Sequence, residues 1–211
     1  MTKRAGGHRL WAGYYDVVIL PPPEVWDFSV RLSAQLFAAG GHWKLGRRAF
    51  LPHISLYHAP VRKDRFEEFS AIVSDIARSA EFGSLQITGF DMPVLEVSRP
   101  DWLVRLQQRI VKKTVRLVDW DWGAANTWDL GFFKRRRRVL AARYLKRYGT
   151  PMYGMNFRPH ITLTSFRGGL PPQDFKVKLR PMRWKAQSVA VCELGVSHSC
   201  QRIIIKHLGP S

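Results

Sequence analysis

A five-residue motif occurs twice in this chain and constrains its fold more than any other feature of the sequence. The motif reads Pro-His-Ile-Ser-Leu at residues 52–56 and Pro-His-Ile-Thr-Leu at residues 159–163. At average amino-acid usage, a second match to one given copy arises by chance in roughly one chain in 10⁴. The recurrence therefore predicts two equivalent segments that serve one purpose together.

Each copy has the pattern of a β-strand. Proline cannot donate to the hydrogen-bond ladder of a sheet and so favours the first position of a strand, as Pro52 and Pro159 would here. Residues two apart on a strand share a face, so each copy presents polar side chains on one side and apolar ones on the other. The polar faces comprise His53, Ser55 and Tyr57 in the first copy and His160, Thr162 and Thr164 in the second. By the same alternation His58 falls on the opposite face, where we expect it to pack or to meet solvent.

The rest of the chain alternates between strand-like and helix-like segments. The predicted strands lie at 14–20, 84–90, 94–97, 188–196 and 202–208, the last two as a hairpin, and the predicted helices lie at 25–39, 63–80 and 101–118. This alternation favours an α/β or α+β fold with a mixed sheet. A chain of 211 residues is expected to form one domain or one domain of two lobes.

The charge of the chain indicates its partners. Thirty-four Lys and Arg stand against sixteen Asp and Glu, a formal net charge of +18. This balance predicts a polyanionic partner, nucleic acid ahead of membrane, with a solvated basic surface as the alternative. No apolar run approaches the roughly 20 residues that span a bilayer. Since the first residues do not resemble a secretory signal and the two cysteines suit a reducing compartment, we expect a cytoplasmic monomer that binds no membrane.

Two histidines suit the cleavage of a phosphodiester. Histidine has the side-chain pKa nearest neutrality, about 6.5. One imidazole can take the proton of the attacking hydroxyl or water, while the other gives a proton to the departing oxygen. Hydroxyl groups beside them can donate to the non-bridging phosphate oxygens, where charge must be stabilised. We therefore predict His53 and His160 as catalytic residues and Ser55 and Thr162 as phosphate-binding residues, with no metal and no cofactor.

The motifs His53-x-Ser55 and His160-x-Thr162, with the order of the elements around them, resemble those of the two-histidine (2H) phosphoesterases. This superfamily includes the 2′,5′ RNA ligase-like proteins and cyclic nucleotide phosphodiesterases. The resemblance covers nearly the whole chain and is weakest over residues 119–157. It implies a bilobal, pseudo-two-fold α+β fold over residues 1–211, with antiparallel or mixed sheets around a central cleft and helices outside. It also implies metal-independent chemistry on 2′,3′-cyclic or 2′,5′-linked RNA ends or small nucleotides, and RNA ligation when the reaction runs in reverse.

Residues beside the motifs are candidates for further contacts with a substrate. Arg47 and Arg48 precede the first motif and Arg158 precedes the second, so each guanidinium could reach a phosphate. Tyr57 and Thr164 extend the polar faces and could line the cleft, with packing as their alternative role. Phe166 follows the second motif, and its ring could stack on a base.

Residues 119–150 form a Trp-rich and basic insert. Its second half, from about 134 to 148, has the pattern of a helix with Gly149 as its stop, and Leu140, Tyr144, Leu145 and Tyr148 form the predicted buried stripe. Basic residues follow phosphates and aromatic rings offer stacking faces, so this insert is a candidate nucleic-acid contact. The candidate residues are Lys134, Arg135, Arg136, Arg137 and Arg138. A solvated basic helix that caps the fold is the alternative.

The residue pattern leaves two other classes of function open. One is a non-catalytic RNA-binding module, and the other is a domain that senses AMP-like nucleotides in the same cleft. The presence of all four motif residues favours the enzyme, because a binder has no evident need for two imidazoles. The pattern does not distinguish which histidine is the acid and which the base, or which P–O bond is broken.

Overall fold

The structure is a computed structural model that describes residues 14–91, 93–120, 130, 133–166, 175, 177–195 and 198–208. The strands are β1 (Tyr15–Ile19), β2 (Ile54–Ala59), β3 (Ser84–Asp91), β4 (Val94–Val97), β5 (His160–Thr162), β6 (Arg183–Lys185), β7 (Ser188–Leu194) and β8 (Cys200–Leu208). The helices are α1 (Pro23–Ala38), α2 (Phe66–Arg78), α3 (Asp101–Thr114) and α4 (Arg135–Tyr148). Short 3₁₀ turns at Lys63–Arg65 and Val115–Leu117 occupy the ends of two predicted helices.

The strands form two four-stranded sheets of antiparallel pairs. The first lobe has the strand order β2-β1-β7-β8, and the second has the order β5-β4-β3-β6. Each motif strand lies at the edge of its sheet and pairs with one antiparallel neighbour, β1 for β2 and β4 for β5. This repeated arrangement confirms the bilobal α+β fold with pseudo-two-fold symmetry, and it realises the antiparallel form of the expected sheets.

One hydrophobic core joins the two lobes. Val17 and Ile54 in the first sheet, Ile161 in the second, Phe69 in α2 and Leu103 in α3 are all fully buried in the same cluster. Both helices bury the apolar stripe that the 3.6-residue period predicts, and they pack against each other. Because α3 also packs on β2, this core fixes the strand that carries the first motif.

The basic helix of the insert is less buried than the sequence predicts. It ends at Tyr148, and Gly149 follows with a φ of 70°, the left-handed conformation that glycine adopts without strain. Only Ala141 and Tyr148 are buried, whereas the predicted stripe residues Leu140, Tyr144 and Leu145 are half-buried. The helix therefore lies on the surface of the fold and contacts the rest of the protein through a narrow stripe of side chains. Most of the Trp-rich half of the insert lies outside the described residues.

The described residues contain neither a candidate membrane span nor a candidate metal cluster. Among these residues, no helix is both long enough and apolar enough to cross a bilayer. In the same part of the chain, no three His, Cys, Asp or Glu side chains are grouped so that they could hold a metal ion.

Candidate active site

The two motif strands face each other across a cleft between the lobes. The edge strands β2 and β5 approach each other, and a cavity of about 400 Å³ opens where they meet. Both histidines and both hydroxyl residues of the motifs line this cavity, namely His53, Ser55, His160 and Thr162. Placing the motifs on two edge strands is what brings residues more than a hundred positions apart into one site.

The two histidines are held in the same way. The His53 Nδ1 lies 2.6 Å from the carbonyl oxygen of Leu51, and the His160 Nδ1 lies 2.7 Å from that of Arg158. A carbonyl only accepts hydrogen bonds, so Nδ1 carries the hydrogen in both rings. In the neutral form of each ring, Nε2 is then left with its lone pair, which is the state that a general base requires.

Burial governs the protonation of both rings. It lowers the pKa of His53, which is 8% exposed, while the carboxylate of Asp16 and the bond to Leu51 raise that pKa. Burial also lowers the pKa of His160, and the hydrogen bond to Arg158 opposes this effect. The positive charge of a neighbouring histidine lowers the pKa of each ring further, so an anion in the cleft would favour a protonated ring.

A β-bulge changes the face on which His58 lies, and the prediction for this residue was wrong. Opposite β1, Tyr57 pairs with Val17 but Ser55 pairs with Val18, so one extra residue is inserted in β2 between these pairs. The bulge breaks the two-residue alternation. His58 consequently lies on the side of Ser55 and lines the cavity, with its Nε2 3.0 Å from the Ser55 Oγ.

A buried carboxylate lies behind the first motif. Asp16 of β1 is fully buried, and its Oδ2 accepts a hydrogen bond from the Ser55 hydroxyl at 2.6 Å. The same oxygen is 3.3 Å from the His58 Nε2 and 3.5 Å from the His53 Nε2. Sequence reasoning missed Asp16, although an acid inside the apolar strand "YYDVVIL" was a usable signal, because an unpaired charge is costly in a core.

A fourth histidine lies at the same end of the cleft. His198 precedes β8, lines the cavity, and has its ring centroid 5.3 Å from that of His58. Its φ is 57°, and Phe50, also at the cavity wall, has a φ of 54°. These are the two non-glycine residues with positive φ in the described part of the chain. Strained backbone of this kind concentrates at functional sites.

Apolar and aromatic side chains form much of the wall of the cavity. The Trp43 ring stacks on that of Phe50, with 5.3 Å between the ring centroids, and Leu45 also lines the cavity. Phe133, Met152 and Phe157 are further wall residues. The imidazoles and hydroxyls of the site thus share the cavity with surfaces that suit planar, apolar groups.

The other predicted cleft residues divide into those that reach the cavity and those that do not. Tyr57 and Arg158 line it, but the Tyr57 hydroxyl donates to the carbonyl of Tyr148 at 2.9 Å. Thr164 is fully buried and donates to the carbonyl of Trp43 at 2.6 Å, so the expectation that it lines the cleft was wrong. Its strand ends at Thr162, and the alternation of faces ends with it.

Three further predictions of cleft contacts also disagree with the structure. Arg47 is exposed, pairs with Asp27 of α1 at 2.7 Å, and is not part of the cavity wall. Arg48 is exposed and is not part of the cavity wall. Phe166 is half-buried against the core instead of facing the cleft.

The basic run of the insert is exposed, although it directly follows a residue of the cavity wall in the chain. Lys134 to Arg138 are all exposed, and the Arg138 guanidinium donates to the carbonyl of Phe133. Phe133, just before the run, and Thr150 and Met152, just after α4, line the cavity. Helix α4 is therefore attached to the cleft at both of its ends.

Solved structures of other proteins share this bilobal fold. The protein TT0787 of Thermus thermophilus matches with a TM-score of 0.57 at 14% identity, over 92% of this chain and 97% of that chain. LigT of E. coli in its apo form matches with a TM-score of 0.52 at 14% identity, over 94% of this chain and 98% of that chain. LigT of E. coli complexed with 3′-AMP matches with a TM-score of 0.54 at 13% identity, over 97% of this chain and 99% of that chain. At this level of identity the likeness is one of fold.

Comparison of the sequence with models of protein families and with curated proteins finds no match. The structural likeness covers nearly the full length of this chain, as the two motifs led us to expect.

Proposed function

We propose that this protein is a phosphodiesterase that uses His53 and His160 as a general acid and general base pair. The observation that carries the proposal is their equivalent mounting, with each Nδ1 bonded to the carbonyl two residues earlier and both rings on one cavity. One ring would remove a proton from the attacking oxygen, and the other would give a proton to the oxygen that leaves phosphorus. The mechanism requires no metal, since both proton transfers are made by side chains.

The contact to the phosphate falls mainly to Thr162 in this proposal. Thr162 lines the cavity, and its hydroxyl makes no hydrogen bond with another described residue, so this hydroxyl is available to a non-bridging oxygen. The Ser55 hydroxyl, also predicted to bind phosphate, donates to Asp16 instead. Arg158 lines the cavity as well and is exposed, so its guanidinium can neutralise a phosphate charge.

The substrate class is a cyclic or 2′,5′-linked phosphodiester on an RNA end or a small nucleotide. The net charge of +18 attracts an anion, and the aromatic cavity walls offer faces for a base. Structures of the E. coli protein LigT, which shares the fold, contain 3′-AMP and NADP+. The cavity, at about 400 Å³, has the volume of a site for a small nucleotide.

The experiment that tests this function is a substrate panel in EDTA. We expect cleavage of at least one of the 2′,3′-cyclic nucleotides or 2′,5′-linked dinucleotides, read by chromatography, with no loss of rate when divalent ions are removed. His160→Ala should lose the activity, while His42→Ala, an exposed histidine outside the cavity wall, should keep it. Cleavage only after a divalent ion is added would exclude the mechanism. Nucleotide binding without any cleavage would instead support a sensing or binding module that uses the same cleft.

A further inference from the structure

The two halves of the site differ in one respect that the repeated motif does not reveal. In the first lobe, the carboxylate of Asp16 lies 3.5 Å from the Nε2 of His53. In the second lobe, Glu96 is the cross-strand partner of His160, but its carboxylate lies over Gly89 of β3 and is exposed. Within the described part of the chain no ion pair joins His160 to an acid. The site is therefore symmetric in its histidines and asymmetric in its charge.

The hydrogen bonds around Asp16 orient its carboxylate. Ser55 has a single hydroxyl hydrogen and donates it to the Asp16 Oδ2 at 2.6 Å. The His58 Nε2, 3.0 Å from the Ser55 Oγ, must then be the donor in that contact, because the hydroxyl hydrogen is already used. The 3.5 Å between Asp16 and the His53 Nε2 is too long for a good hydrogen bond. Asp16 thus acts on His53 through charge and leaves its N–H free for a substrate.

Asp16 has a position that packing alone does not explain. Every residue of β1 is buried, and the neighbours of Asp16 along the strand are Tyr15 and Val17. Its Oδ1 is buried without a hydrogen-bond partner in the described residues, which costs stability. A buried acid that is half-satisfied is retained where its charge has a use, and the groups it contacts are imidazoles of the cleft.

We propose that Asp16 is a positioning residue that makes His53 the general acid and leaves His160 as the general base. The inference rests on the proposed phosphodiester cleavage. His160 Nε2 takes the proton of the attacking water as the water oxygen forms a bond to phosphorus. The bond from phosphorus to the leaving oxygen breaks, its electron pair goes to that oxygen, and the Nε2–H of His53 supplies the proton. The products are a phosphomonoester and an alcohol, and solvent returns the proton from His160 to His53.

Among the other described titratable groups around His53, the positive charge of His58 lowers the pKa of His53, but by less than the Asp16 carboxylate raises it. His58 belongs to β2, His160 lies across the cleft and His198 precedes β8, and none of these side chains carries a negative charge. Cys192, opposite Asp16 on β7, stays a neutral thiol because its hydrogen bond with Cys200 and burial raise its pKa. Among the described residues, Asp16 is the acid that pairs with His53, and its carboxylate favours the proton on His53 together with the bond to the Leu51 carbonyl.

A comparison of leaving groups decides which histidine is the acid. A p-nitrophenolate departs without a proton, so loss of the acid should matter little for a nucleoside p-nitrophenyl phosphodiester. We expect His53→Ala to lower the rate about 10²–10⁴-fold on a natural dinucleotide and less than about 10-fold on the p-nitrophenyl ester. His160→Ala should lower both rates about 10²–10⁴-fold. If His160→Ala is the variant that the p-nitrophenyl ester rescues, the assignment is reversed and the inference fails. If wild type cleaves neither substrate, the proposed function itself fails.

Asp16→Asn tests the role of the carboxylate, because it keeps the shape and an acceptor for Ser55 while removing the charge. Its effect should have the same pattern as that of His53→Ala but be smaller. The cleavage rate should fall at least about 10-fold on the dinucleotide and change little on the p-nitrophenyl ester. In the pH–rate profile on the dinucleotide, the limb that reports His53 should move to lower pH by about one unit or more, because the loss of one nearby negative charge lowers the pKa of an imidazole by about this amount. The thermal midpoint should stay the same or rise, since a buried, half-satisfied charge is removed.

Glu96→Gln is the matched control, since it removes a carboxylate opposite His160 that does not pair with that ring. Its pH profile and leaving-group dependence should equal those of wild type. If Asp16→Asn lowers the cleavage rates of both substrates equally, or if its lower rate is accompanied by a lower thermal midpoint, Asp16 has a structural role. An unchanged pH profile in Asp16→Asn would overturn the proposal as well.

Discussion

The hydroxyl of Tyr57 donates to the backbone carbonyl of Tyr148 at 2.9 Å, and it joins two segments that are 91 residues apart in the chain. Tyr57 belongs to the strand of the first motif, and Tyr148 is the last residue of α4. The bond is buried, and the cavity residues Thr150 and Met152 follow directly after it. The insert is thereby fixed to the motif strand at the point where it returns to the cleft.

Tyr57→Phe should destabilise the fold without changing its packing volume. The variant leaves the Tyr148 carbonyl buried and without its donor, at a cost of about 1–3 kcal/mol. Urea unfolding of the variant and the wild type, with equal slopes, measures this difference. An unchanged midpoint would show that water or another group replaces the hydroxyl.

Loss of either motif histidine should reduce turnover far more than stability. His53→Ala and His160→Ala should each lower the turnover number on the best dinucleotide by about 10²–10⁴-fold, the range for one positioned acid or base. His42→Ala controls for the removal of an imidazole elsewhere on the surface. Single-turnover assays, with enzyme in excess over substrate, would measure the rate of the chemical step directly. Wild-type rates in both motif variants would place catalysis outside this pair.

Most of the strands, including those of the two motifs, were predictable from the sequence because their patterns depend on local physics, whereas β6 (Arg183–Lys185) was not predicted. Proline at a strand start, two-residue alternation and the 3.6-residue stripes of α2 and α3 are all readable without tertiary contacts. These signals indicate an α/β or α+β fold, and the bilobal, pseudo-two-fold arrangement was implied by the resemblance of the two motifs to those of the 2H phosphoesterases. The side of the strand on which His58 lies was not readable, since the bulge arises from the pairing of β2 with β1. The prediction that Thr164 lines the cleft was wrong for a related reason, because β5 ends two residues before it.

The environment of the first motif depends on residues far from it in sequence. Asp16 contacts Ser55 across 39 residues, and His198 reaches the cavity from the turn before β8. Nothing in "SHSCQ" identifies a cleft residue. The single acid in β1 was a visible signal, but its position beside the first motif depends on the pairing of β1 with β2, which the sequence does not give. Residues 121–129 of the insert lie outside the described part of the chain, so their predicted role stays a prediction.

The two hydroxyl residues should differ when they are removed. Thr162→Val should keep the fold, because valine suits a strand as well as threonine does, and should lose on the order of 10²-fold in rate if Thr162 binds the phosphate in the transition state. Ser55→Ala should act through Asp16 instead, with a change in the pH profile that Thr162→Val does not show. Michaelis–Menten parameters measured across the neutral pH range separate the two cases. Unchanged kinetics in both variants would mean that neither hydroxyl takes part in the reaction.

Acid should destabilise the protein through His198. Burial, with a smaller effect of the positive charge of His58, lowers its pKa to about 3. The unfolded chain binds a proton near the unperturbed pKa of about 6.5, so between these values the unfolded state holds more protons and stability falls as pH falls. The loss from this residue is at most about 2 kcal/mol at about pH 5 relative to about pH 8. His198→Asn keeps a residue that tolerates positive φ, and its urea midpoint should decline less on acidification than that of wild type. An equal decline in both proteins would assign the acid sensitivity to other groups.

The exposed basic run at the start of α4 should contribute to binding of long RNA and not of small substrates. Lys134 to Arg138 carry five positive charges at the N-terminus of a helix, where the helix dipole is also positive, and the first turn contains no acid. A phosphate backbone would relieve this concentration of charge. Replacing Arg135, Arg136 and Arg137 with Gln removes three charges while keeping good helix formers. The log–log dependence of single-stranded RNA affinity on salt should flatten by up to about 2 units, since each phosphate contact contributes about 0.7.

A second triple variant separates a local contact from a general effect of charge. Arg105, Lys112 and Lys113 are exposed on α3, so changing them to Gln removes the same net charge from another helix. If the basic run contacts RNA, only the α4 variant should flatten the salt dependence, and cleavage of a mononucleotide 2′,3′-cyclic phosphate should be equal in both variants and wild type. That substrate is too short to reach the run, so its rate reports the intact cleft. Equal salt slopes in the two triple variants would show that net charge alone acts on RNA. Wild-type binding by the α4 variant at every salt concentration would make the helix a solvated cap, because its charges would then have no partner in the complex.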